Sequence, residues 1–186
     1  LPTIFGYYCK DKDKLLIQSS GIIVHGFKHE IYKSTTELLP DSGYGESKLL
    51  ADKIIMSSGC DYSILRIGGI FGRHGPTHLR INKAIDDAIK GKTPSVTGKG
   101  AAKRNYVYVR DVAKAIVKCI EQKITGVHYL GGEVKTIESM LIDLCEIFVP
   151  GNHPEYIHGE NASDQIIENS EHFSITPFRT ALKKMI

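Results

Sequence analysis

The sequence lacks tryptophan, holds only four cysteines and contains no long apolar run. The cysteines lie far apart and form no C-x-x-C pair, so neither a zinc site nor a disulfide framework is predicted; they are Cys9, Cys60, Cys119 and Cys145. A membrane helix would need about 18 consecutive apolar residues, which the chain does not offer. We therefore expect no metal, no membrane association and reduced thiols in a cytoplasmic protein.

A strong charge of either sign is also missing. The sequence has 24 Lys and Arg residues against 21 Asp and Glu residues, a formal net charge of +3, and its basic residues form no long run. This pattern argues against a nucleic-acid partner. A small anionic ligand such as a phosphate ester suits it equally well, and 186 residues with 41% hydrophobic residues are enough for a buried core.

What the sequence does contain is an alternation of short apolar runs and amphipathic segments. Apolar residues at helical spacing, with a cap at Asp41 or Ser42, predict a helix over 44–56. By the same criteria we predict strands at 15–18, 63–68, 95–97, 105–109 and 127–130, and helices at 78–90, after Asp111, at 136–148 and near Ala181. The first strand is predicted to stop at a polar turn, 19–21, and the tail over 151–176 to be irregular. This alternation predicts an α/β sheet.

The most informative motif is the pair Tyr44 and Lys48 within the first predicted helix. Residues four apart share one helix face, with about 5–6 Å between their Cβ atoms. A phenol beside a fixed cation can act as a proton shuttle in the oxidation of an alcohol or the reduction of a ketone. The alternative is a solvated pair on a helix surface, and Tyr8 and Lys12 show the same spacing. The neighbouring sequence must therefore decide between them.

A second motif, Gly69 to Gly75, spells G-x-x-G-x-x-G after a predicted strand. In a dinucleotide site the third glycine lies inside the following helix, and an acidic residue ends a strand about 20 positions later. Here Gly75 is followed by Pro76, and no acidic residue stands in that place. We interpret these glycines as a loop and not as a pyrophosphate site.

Four segments, in order along the chain, resemble the extended short-chain dehydrogenase/reductase family, the NAD-dependent nucleotide-sugar epimerases and dehydratases. They are 19–26 (SSGIIVHG), 44–48 (YGESK), 65–72 (LRIGGIFG) and 104–113 (RNYVYVRDVA). The match covers nearly the whole chain and selects Tyr44 over Tyr8. It implies a partial Rossmann-like parallel sheet with a small mixed α/β substrate-binding lobe. Residues 1–72 would be a remnant of the NAD-binding domain and 73–186 mainly the lobe, with about 105–130 returning to the sheet.

The resemblance assigns the chemistry to the helical pair. In that family the tyrosine is the acid/base, and the lysine binds the ribose hydroxyls of the nicotinamide nucleotide and stabilises the tyrosinate; the matching positions are Tyr44 and Lys48. Ser20 is the hydroxyl nearest to the family's catalytic serine or threonine and completes the predicted catalytic group. Ser19 and Ile67 are expected beside the cofactor, NAD or NADP.

The resemblance also implies the substrate, a nucleotide-sugar. Arg104 matches an arginine that grips the diphosphate, where a guanidinium fork suits phosphate oxygens, and Gly69 lies in the loop expected beside the sugar. The alternative for Arg104 is a solvated charge at a strand edge. Arg66 is expected to make structural hydrogen bonds to the backbone, and His25 to be a packing residue rather than a catalyst.

Three departures from the family pattern bear on activity. Gly21 stands where the family has its catalytic serine or threonine, and Ser20 comes one residue early, where a strand directs its side chain to the opposite face. Asn161 replaces a second phosphate-binding arginine. The glycine-rich unit that holds the cofactor pyrophosphate does not precede Leu15. We therefore expect a fragment, or another chain that covers the apolar edge of the first strand.

The function that the resemblance implies is NAD-dependent epimerase or dehydratase chemistry on a nucleotide-sugar. A UDP-sugar 4-epimerase-like reaction is the leading hypothesis, and dehydration and simple reduction share its first step. The alternative is a non-catalytic family member that binds a nucleotide-sugar or a protein partner. The isolated chain is expected to be inactive, and a homodimer through the helix at 44–56 is expected from the same resemblance.

Overall fold

The computed structural model describes all 186 residues and divides them into two compact units. The first unit comprises Leu1–Gly68, Arg110–Leu130 and Ile167–Ser174. The second unit comprises Gly69–Val109, Gly131–Ile166 and Ile175–Ile186. The assignment of a cofactor domain to 1–72 and of a substrate lobe to 73–186 stays a prediction.

Six helices and eleven short strands make up the chain. The helices are α1 (Pro2–Asp11), α2 (Gly43–Ser57), α3 (Arg80–Ile89), α4 (Val109–Gln122), α5 (Ile137–Phe148) and α6 (Phe178–Lys183), with a 3₁₀ turn at Ile22–His25. The strands are β1 (Leu16–Gly21), β2 (Ile31–Tyr32), β3 (Tyr62–Ile67), β4 (Ile70–Phe71), β5 (Ser95–Thr97), β6 (Lys103–Arg104), β7 (Val107–Tyr108), β8 (Gly126–Leu130), β9 (Lys135–Thr136), β10 (Glu155–Ile157) and β11 (Ile166–Ile167). Each helix is too short or too polar to span a lipid bilayer.

A three-stranded parallel sheet forms the centre of the first unit. Its order is β1-β3-β8, so β1 is an edge strand and β3 lies between its two neighbours. The register pairs Gly21 with Ile67 and Ile67 with Leu130, which brings the carboxyl ends of all three strands to one edge. Ser63 to Ile67 is buried throughout, as expected of a strand covered on both faces. The predicted α/β parallel sheet is confirmed.

Local signals located several helices correctly. Ser42 caps α2, because its side chain accepts a hydrogen bond from the Gly45 N–H group, and Thr136 caps α5 through the Ser139 N–H group. Helix α3 begins at Arg80, two residues later than predicted, after a turn closed by the hydrogen bond from Leu79 N to Pro76 O. Helix α4 begins at Val109 and not after Asp111.

The prediction of a polar turn at 19–21 is wrong. Ser19, Ser20 and Gly21 continue β1 and pair in register with Leu65 to Ile67 of β3. Pairing with a buried neighbouring strand overrides the turn preference of serine and glycine. Helix α1 was not predicted from the sequence, and the tail predicted to be irregular contains β10 and β11.

A large apolar cluster forms the core of the second unit. The cluster consists of Phe71, Ile81, Ile85, Ala88, Val96, Tyr108, Met140, Leu141, Leu144, Phe178, Ala181, Leu182 and Met185. Its aromatic residues stack at an angle, with 4.9 Å between the ring centroids of Phe71 and Phe178. Short strand pairs surround it: β4 with β7, β5 with β10, and β6 with β9.

Candidate active site

The N-terminus of α2 lies unusually close to the 3₁₀ turn that follows β1. A Cβ atom at Gly45 would stand 2.8 Å from the carbonyl oxygen of Ile23 and 2.9 Å from the Cβ of Pro40. Only glycine permits this approach without a shift of the backbone. Asp41, the other candidate for the helix cap, instead accepts a hydrogen bond of 2.9 Å from the Phe27 N–H group. The helix that carries the Tyr44 and Lys48 pair is therefore fixed against the end of the sheet.

Lys48 connects the tyrosine to the edge strand. Its Nζ atom lies 5.7 Å from the ring centroid of Tyr44 and donates a hydrogen bond of 3.2 Å to the carbonyl oxygen of Ser19. An ammonium group has three donors, so two remain for a ligand. The Tyr44 side chain is 62% exposed and open to a substrate. The structure thus brings Tyr44, Lys48 and Ser19 together at the carboxyl end of β1.

The competing pair in α1 has no such setting. Tyr8 is 59% exposed, and Lys12 is the C-cap residue, one position beyond the end of the helix. The Lys12 side chain makes no hydrogen bond or ion pair in the structure, whereas Lys48 makes a hydrogen bond to a second element. Equal spacing in sequence therefore leads to different surroundings.

The hydroxyl of Ser20 faces the interior. Ser20 is 7% exposed, and its Oγ atom donates a hydrogen bond of 3.0 Å to Asp52 Oδ2. Since β1 stays regular through Gly21, the change of backbone direction that would turn Ser20 toward Tyr44 does not occur. Gly21 itself is extended, with φ −146°, and a Cβ atom there would meet nothing closer than 3.6 Å. Ile67, the other strand-end residue predicted beside the cofactor, is buried and pairs with Gly21.

A buried group of polar side chains lies behind the pair. Arg66 of β3 donates from Nε to Asp52 Oδ2 at 3.3 Å and from Nη1 to the Tyr129 hydroxyl at 2.7 Å. Tyr129 also contacts His25 Nε2 at 3.0 Å. The expectation that Arg66 bonds to the backbone is wrong, because its partners are side chains of α2 and β8. His25 is 1% exposed and hydrogen-bonded through both ring nitrogens, so it does more than fill space.

Burial shifts the titration of two members of this group. Desolvation raises the pKa of Asp52, while the hydrogen bond from Ser20 and the charge of Arg66 act in the opposite direction. Desolvation lowers the pKa of His25, opposed by its hydrogen bond to the backbone of Glu37. Asp52 is fully buried, and its Oδ1 atom makes no hydrogen bond within the protein.

Asp52 and Tyr129 were not found from the sequence. A signal for Asp52 exists: it stands between Leu49 and Ile55 at a spacing of three, on the buried face of α2. A charged residue within the apolar stripe of a helix needs a buried partner. The partner cannot be identified locally, because Arg66 belongs to another strand.

The glycines of the G-x-x-G-x-x-G motif pack closely against other side chains of the protein, which leaves no open space for a pyrophosphate beside them. A Cβ atom at Gly69 would lie 2.7 Å from the Tyr106 ring, and one at Gly72 would lie 2.7 Å from Val109 Cγ1. At Gly75 it would lie 2.5 Å from the Asn82 side chain. The segment also contains β4 instead of opening a helix. This packing supports the interpretation of the segment as a loop and not as a dinucleotide site.

The predicted substrate residues Arg104 and Gly69 belong to the second unit. Arg104 lies on β6, where its Nη1 atom donates to the carbonyl oxygens of Lys103 and Ser163. One nitrogen thus anchors the guanidinium to the backbone and leaves other donors for a ligand. Asn161 serves the loop itself, since its Oδ1 atom accepts a hydrogen bond of 2.7 Å from the Lys99 N–H group.

The first unit fits part of a nicotinamide cofactor. In open parallel sheets ligands bind outside the carboxyl ends of the strands, where Ser19 and the two remaining Lys48 donors lie. These donors match ribose hydroxyls. The close-packed glycines at 69–75 do not match a pyrophosphate. No cluster of three His, Cys, Asp or Glu side chains is arranged to hold a metal ion.

Comparison with known proteins identifies the family of the chain. The model of the NAD-dependent epimerase/dehydratase family matches residues 6–132, more than half of the chain and including all of α2. The chain belongs to the NAD-dependent epimerase/dehydratase family. The resemblance seen in the four sequence segments is therefore confirmed.

Individual relatives show how much of the family fold is present. The chain is 33% identical over 144 residues to a protein of Methanocaldococcus jannaschii named "Putative UDP-glucose 4-epimerase", covering 73% of this chain and 47% of that one. The crystal structure of UDP-N-acetylglucosamine 4-epimerase from Bacillus cereus matches with a TM-score of 0.82 at 21% identity, over 99% of this chain and 68% of that one. The dTDP-glucose 4,6-dehydratase of Bacillus anthracis in complex with NAD matches with a TM-score of 0.76 at 21% identity, over 98% of this chain and 64% of that one. The chain thus spans about half the length of the archaeal relative, and the structural matches show the family fold.

Proposed function

We propose that this chain carries the acid/base centre of an NAD-dependent enzyme that acts on a nucleotide-sugar. The observation that supports this most strongly is the position of Lys48, between the Tyr44 ring and the carbonyl oxygen of Ser19. This cation stands beside an exposed phenol at the edge of the sheet where family folds bind their ligands.

In the proposed mechanism Tyr44 takes the proton from a sugar hydroxyl and later returns it. Bound NAD supplies the hydride acceptor and donor. Lys48 stabilises negative charge on the phenol oxygen through its own positive charge and, with its remaining donors, orients the ribose. Ser19 holds the ammonium group in place through its carbonyl oxygen. Ser20, named from the sequence as a third catalytic group, acts in this proposal by bracing Asp52 and not by proton transfer.

The relatives and the second unit support a nucleotide-sugar as the substrate class. A UDP-sugar 4-epimerase-like reaction is the leading proposal, because relatives named for UDP-glucose and UDP-N-acetylglucosamine 4-epimerases match over most of this chain. A dehydratase also matches, and abstraction of the hydroxyl proton opens both reactions. Arg104, anchored to the backbone through Nη1, would bind the diphosphate, with Gly69 beside the sugar.

A homodimer through α2 is also part of the proposal. The apolar side chains on the outward face of α2 include Leu50, 60% exposed, and Met56, 46% exposed. A homodimer through this helix would cover them. Sedimentation of the chain at several concentrations tests it, and a monomer at every concentration would contradict it.

A second candidate is a non-catalytic protein that binds a nucleotide-sugar. Gly21 in the place of the family hydroxyl favours it, and so does Asn161, whose side chain is bonded to Lys99. Gly21→Thr discriminates, because the extended backbone and the 3.6 Å of space accept a side chain there. A gain of turnover in this variant supports the enzyme, and tight UDP-sugar binding without turnover in both forms supports the binder.

Replacement of the tyrosine tests the proposed acid/base directly. In a protein that contains this chain and converts UDP-glucose in the presence of NAD, we expect Tyr44→Phe to lower the rate of sugar conversion by about 10²–10⁴-fold, the usual contribution of a general acid/base. Since the Tyr44 side chain is exposed, thermal unfolding should stay the same. Tyr8→Phe is the matched control, with the same spacing to a lysine and similar exposure. Equal conversion by Tyr44→Phe and Tyr8→Phe would rule out the assignment.

A further inference from the structure

Three side chains on α2 form a stripe that leads from the surface into the interior. Tyr44, Lys48 and Asp52 follow one another at a spacing of four, so they lie along one side of the helix. Their exposure falls in that order: Tyr44 is 62% exposed, Lys48 is half-buried and Asp52 is fully buried. The exposed phenol and the buried carboxylate are thus the two ends of one stripe.

Two consecutive residues of β1 form hydrogen bonds with two members of this stripe, which lie one turn apart along the helix axis. The carbonyl oxygen of Ser19 accepts from Lys48 Nζ at 3.2 Å, and the hydroxyl of Ser20 donates to Asp52 Oδ2 at 3.0 Å. These contacts add to the close packing of Gly45 on the 3₁₀ turn. Two contacts one helical turn apart fix both the rotation and the height of the helix.

Arg66 extends the connection to the rest of the sheet. Its guanidinium is held from two sides, by Asp52 of α2 at Nε and by Tyr129 of β8 at Nη1. The plane of the guanidinium makes these two bonds directional. Helix α2 is therefore tied to all three strands, β1 through Ser20, β3 through Arg66 and β8 through Tyr129.

The donor and acceptor of each hydrogen bond between Arg66, Tyr129, His25 and Glu37 can be assigned. A carbonyl oxygen can only accept, so His25 Nδ1 must donate to the Glu37 oxygen at 2.8 Å. The neutral ring then has only an acceptor at Nε2, and the Tyr129 hydroxyl must donate to it at 3.0 Å. The Tyr129 oxygen in turn accepts from Arg66. The chain of bonds thus runs from Arg66 to the segment that follows the 3₁₀ turn.

We propose that Asp52 and Arg66 are positioning residues, which hold Lys48 on the Ser19 carbonyl and beside Tyr44. The importance of this role for catalysis rests on the proposed function of Tyr44. The position of Lys48 can be measured whether or not Tyr44 is catalytic. A buried ion pair adds little net stability compared with apolar residues of the same volume. Its bonds are directional, however, and they specify where α2 lies.

Chemical modification of lysine reports the position of Lys48 directly. We would acetylate the folded chain briefly and compare the rates at Lys48 and at Lys53, an exposed lysine on the same helix, by mass spectrometry. In the unmodified sequence Lys48 should react several-fold more slowly than Lys53. Asp52→Asn keeps the size of the side chain but removes the charge that Arg66 faces. The Lys48 rate should then rise toward that of Lys53.

Milder variants cover the case in which Asp52→Asn does not fold. Ser20→Ala removes one of the two contacts with β1, and Tyr129→Phe removes one partner of Arg66; both should raise the Lys48 rate, by less than Asp52→Asn. Tyr62→Phe is the matched control on β3, because the Tyr62 hydroxyl makes no hydrogen bond, and it should leave the Lys48 rate unchanged. An unchanged Lys48 rate in every folded variant of Ser20, Tyr129 and Asp52 would overturn the proposal.

A second readout separates this inference from the proposed function. In a protein that contains this chain and converts UDP-glucose with NAD, the variants should lower kcat by about tenfold to hundredfold, as misplacement of a reacting group by about 1 Å does, while KM changes little. A shift of the Lys48 rate without turnover in any form supports the positioning role and counts against the enzyme. Normal turnover together with a raised Lys48 rate would support the positioning role and count against the proposed role of Lys48 in catalysis.

Discussion

Thirteen buried residues form one apolar cluster in the second unit, whereas the first unit contains, beside smaller apolar clusters, five polar side chains joined by hydrogen bonds. These five are Ser20, Asp52, Arg66, Tyr129 and His25. Apolar contact is not directional, so it stabilises an arrangement without choosing a single one. Hydrogen bonds to a buried ion pair depend on angle and distance. The polar group of the first unit therefore specifies the positions of its members more narrowly than the apolar cluster of the second unit does.

Removal of one member of the buried ion pair is the strongest test of the difference between the polar group of the first unit and the apolar cluster of the second. Arg66→Met leaves Asp52 buried without its cation and should lower the free energy of unfolding by about 3–5 kcal/mol. Asp52→Leu combined with Arg66→Met removes both charges and should recover most of that loss. Urea unfolding of the two single variants and the double variant gives the coupling energy. A double variant no more stable than Arg66→Met would show that Asp52 and Arg66 are not energetically coupled.

The second unit should respond to cavity formation in a different way. Leu144 is fully buried in the apolar cluster, and Leu144→Ala should lower the free energy of unfolding by about 2–5 kcal/mol. Unlike the ion pair, Leu144 has many small contacts and no single partner. A second substitution in the cluster should therefore not restore the free energy of unfolding. Urea unfolding measures it, with Ile142→Ala on the partly exposed side of α5 as a control. Equal losses at Leu144 and Ile142 would contradict the comparison.

The smallest expected effect is a loss of stability in mild acid. Burial lowers the pKa of both His25 and His128 from the ordinary value of 6.5, so below that value the unfolded chain binds more protons than the folded one. Their contribution is present above pH 6.5 and is lost as the pH falls through their folded pKa values. Asp52 acts in the opposite direction, because burial raises its pKa: its contribution is present below 3.8 and is lost as the pH rises.

Urea unfolding at pH 7 and in mild acid measures this loss. His128→Phe keeps the edge-to-face packing on Phe173 and removes one of the two titrating groups, so it should reduce the acid loss. The Leu144→Ala variant should show the full loss, because Leu144 belongs to the other unit and does not titrate. An acid loss of the same size in His128→Phe would exclude His128 as a cause.

Much of the fold could be predicted from short stretches of sequence. The limits of α2 and α5 follow from apolar spacing and from the caps Ser42 and Thr136, which act within three residues. Helical spacing places Tyr44 beside Lys48, and the family resemblance selects this pair over Tyr8 and Lys12. The family follows from four ordered segments, and its confirmation covers residues 6–132.

Other features could not be predicted, because they depend on contacts between distant residues. The continuation of β1 through Ser19, Ser20 and Gly21 depends on β3, and in isolation these residues favour a turn. Arg66 gave no local sign that its partners would be Asp52 and Tyr129. Those partners are fixed by the register of three parallel strands.

The sequence alone determined the limits of α2 and the pairing of Tyr44 with Lys48 on one helix face, because helix periodicity and capping act over three or four positions, and its resemblance to a family selected this pair for the candidate chemistry. The tertiary structure decided their surroundings. It placed the Lys48 ammonium on the Ser19 carbonyl, 29 residues away in sequence, turned Ser20 to Asp52, 32 residues away, and linked Arg66 to Tyr129 across 63 residues. Such contacts form only when strands pair and a helix packs on them, and for that reason the Tyr44 and Lys48 pair differs from the Tyr8 and Lys12 pair of equal spacing.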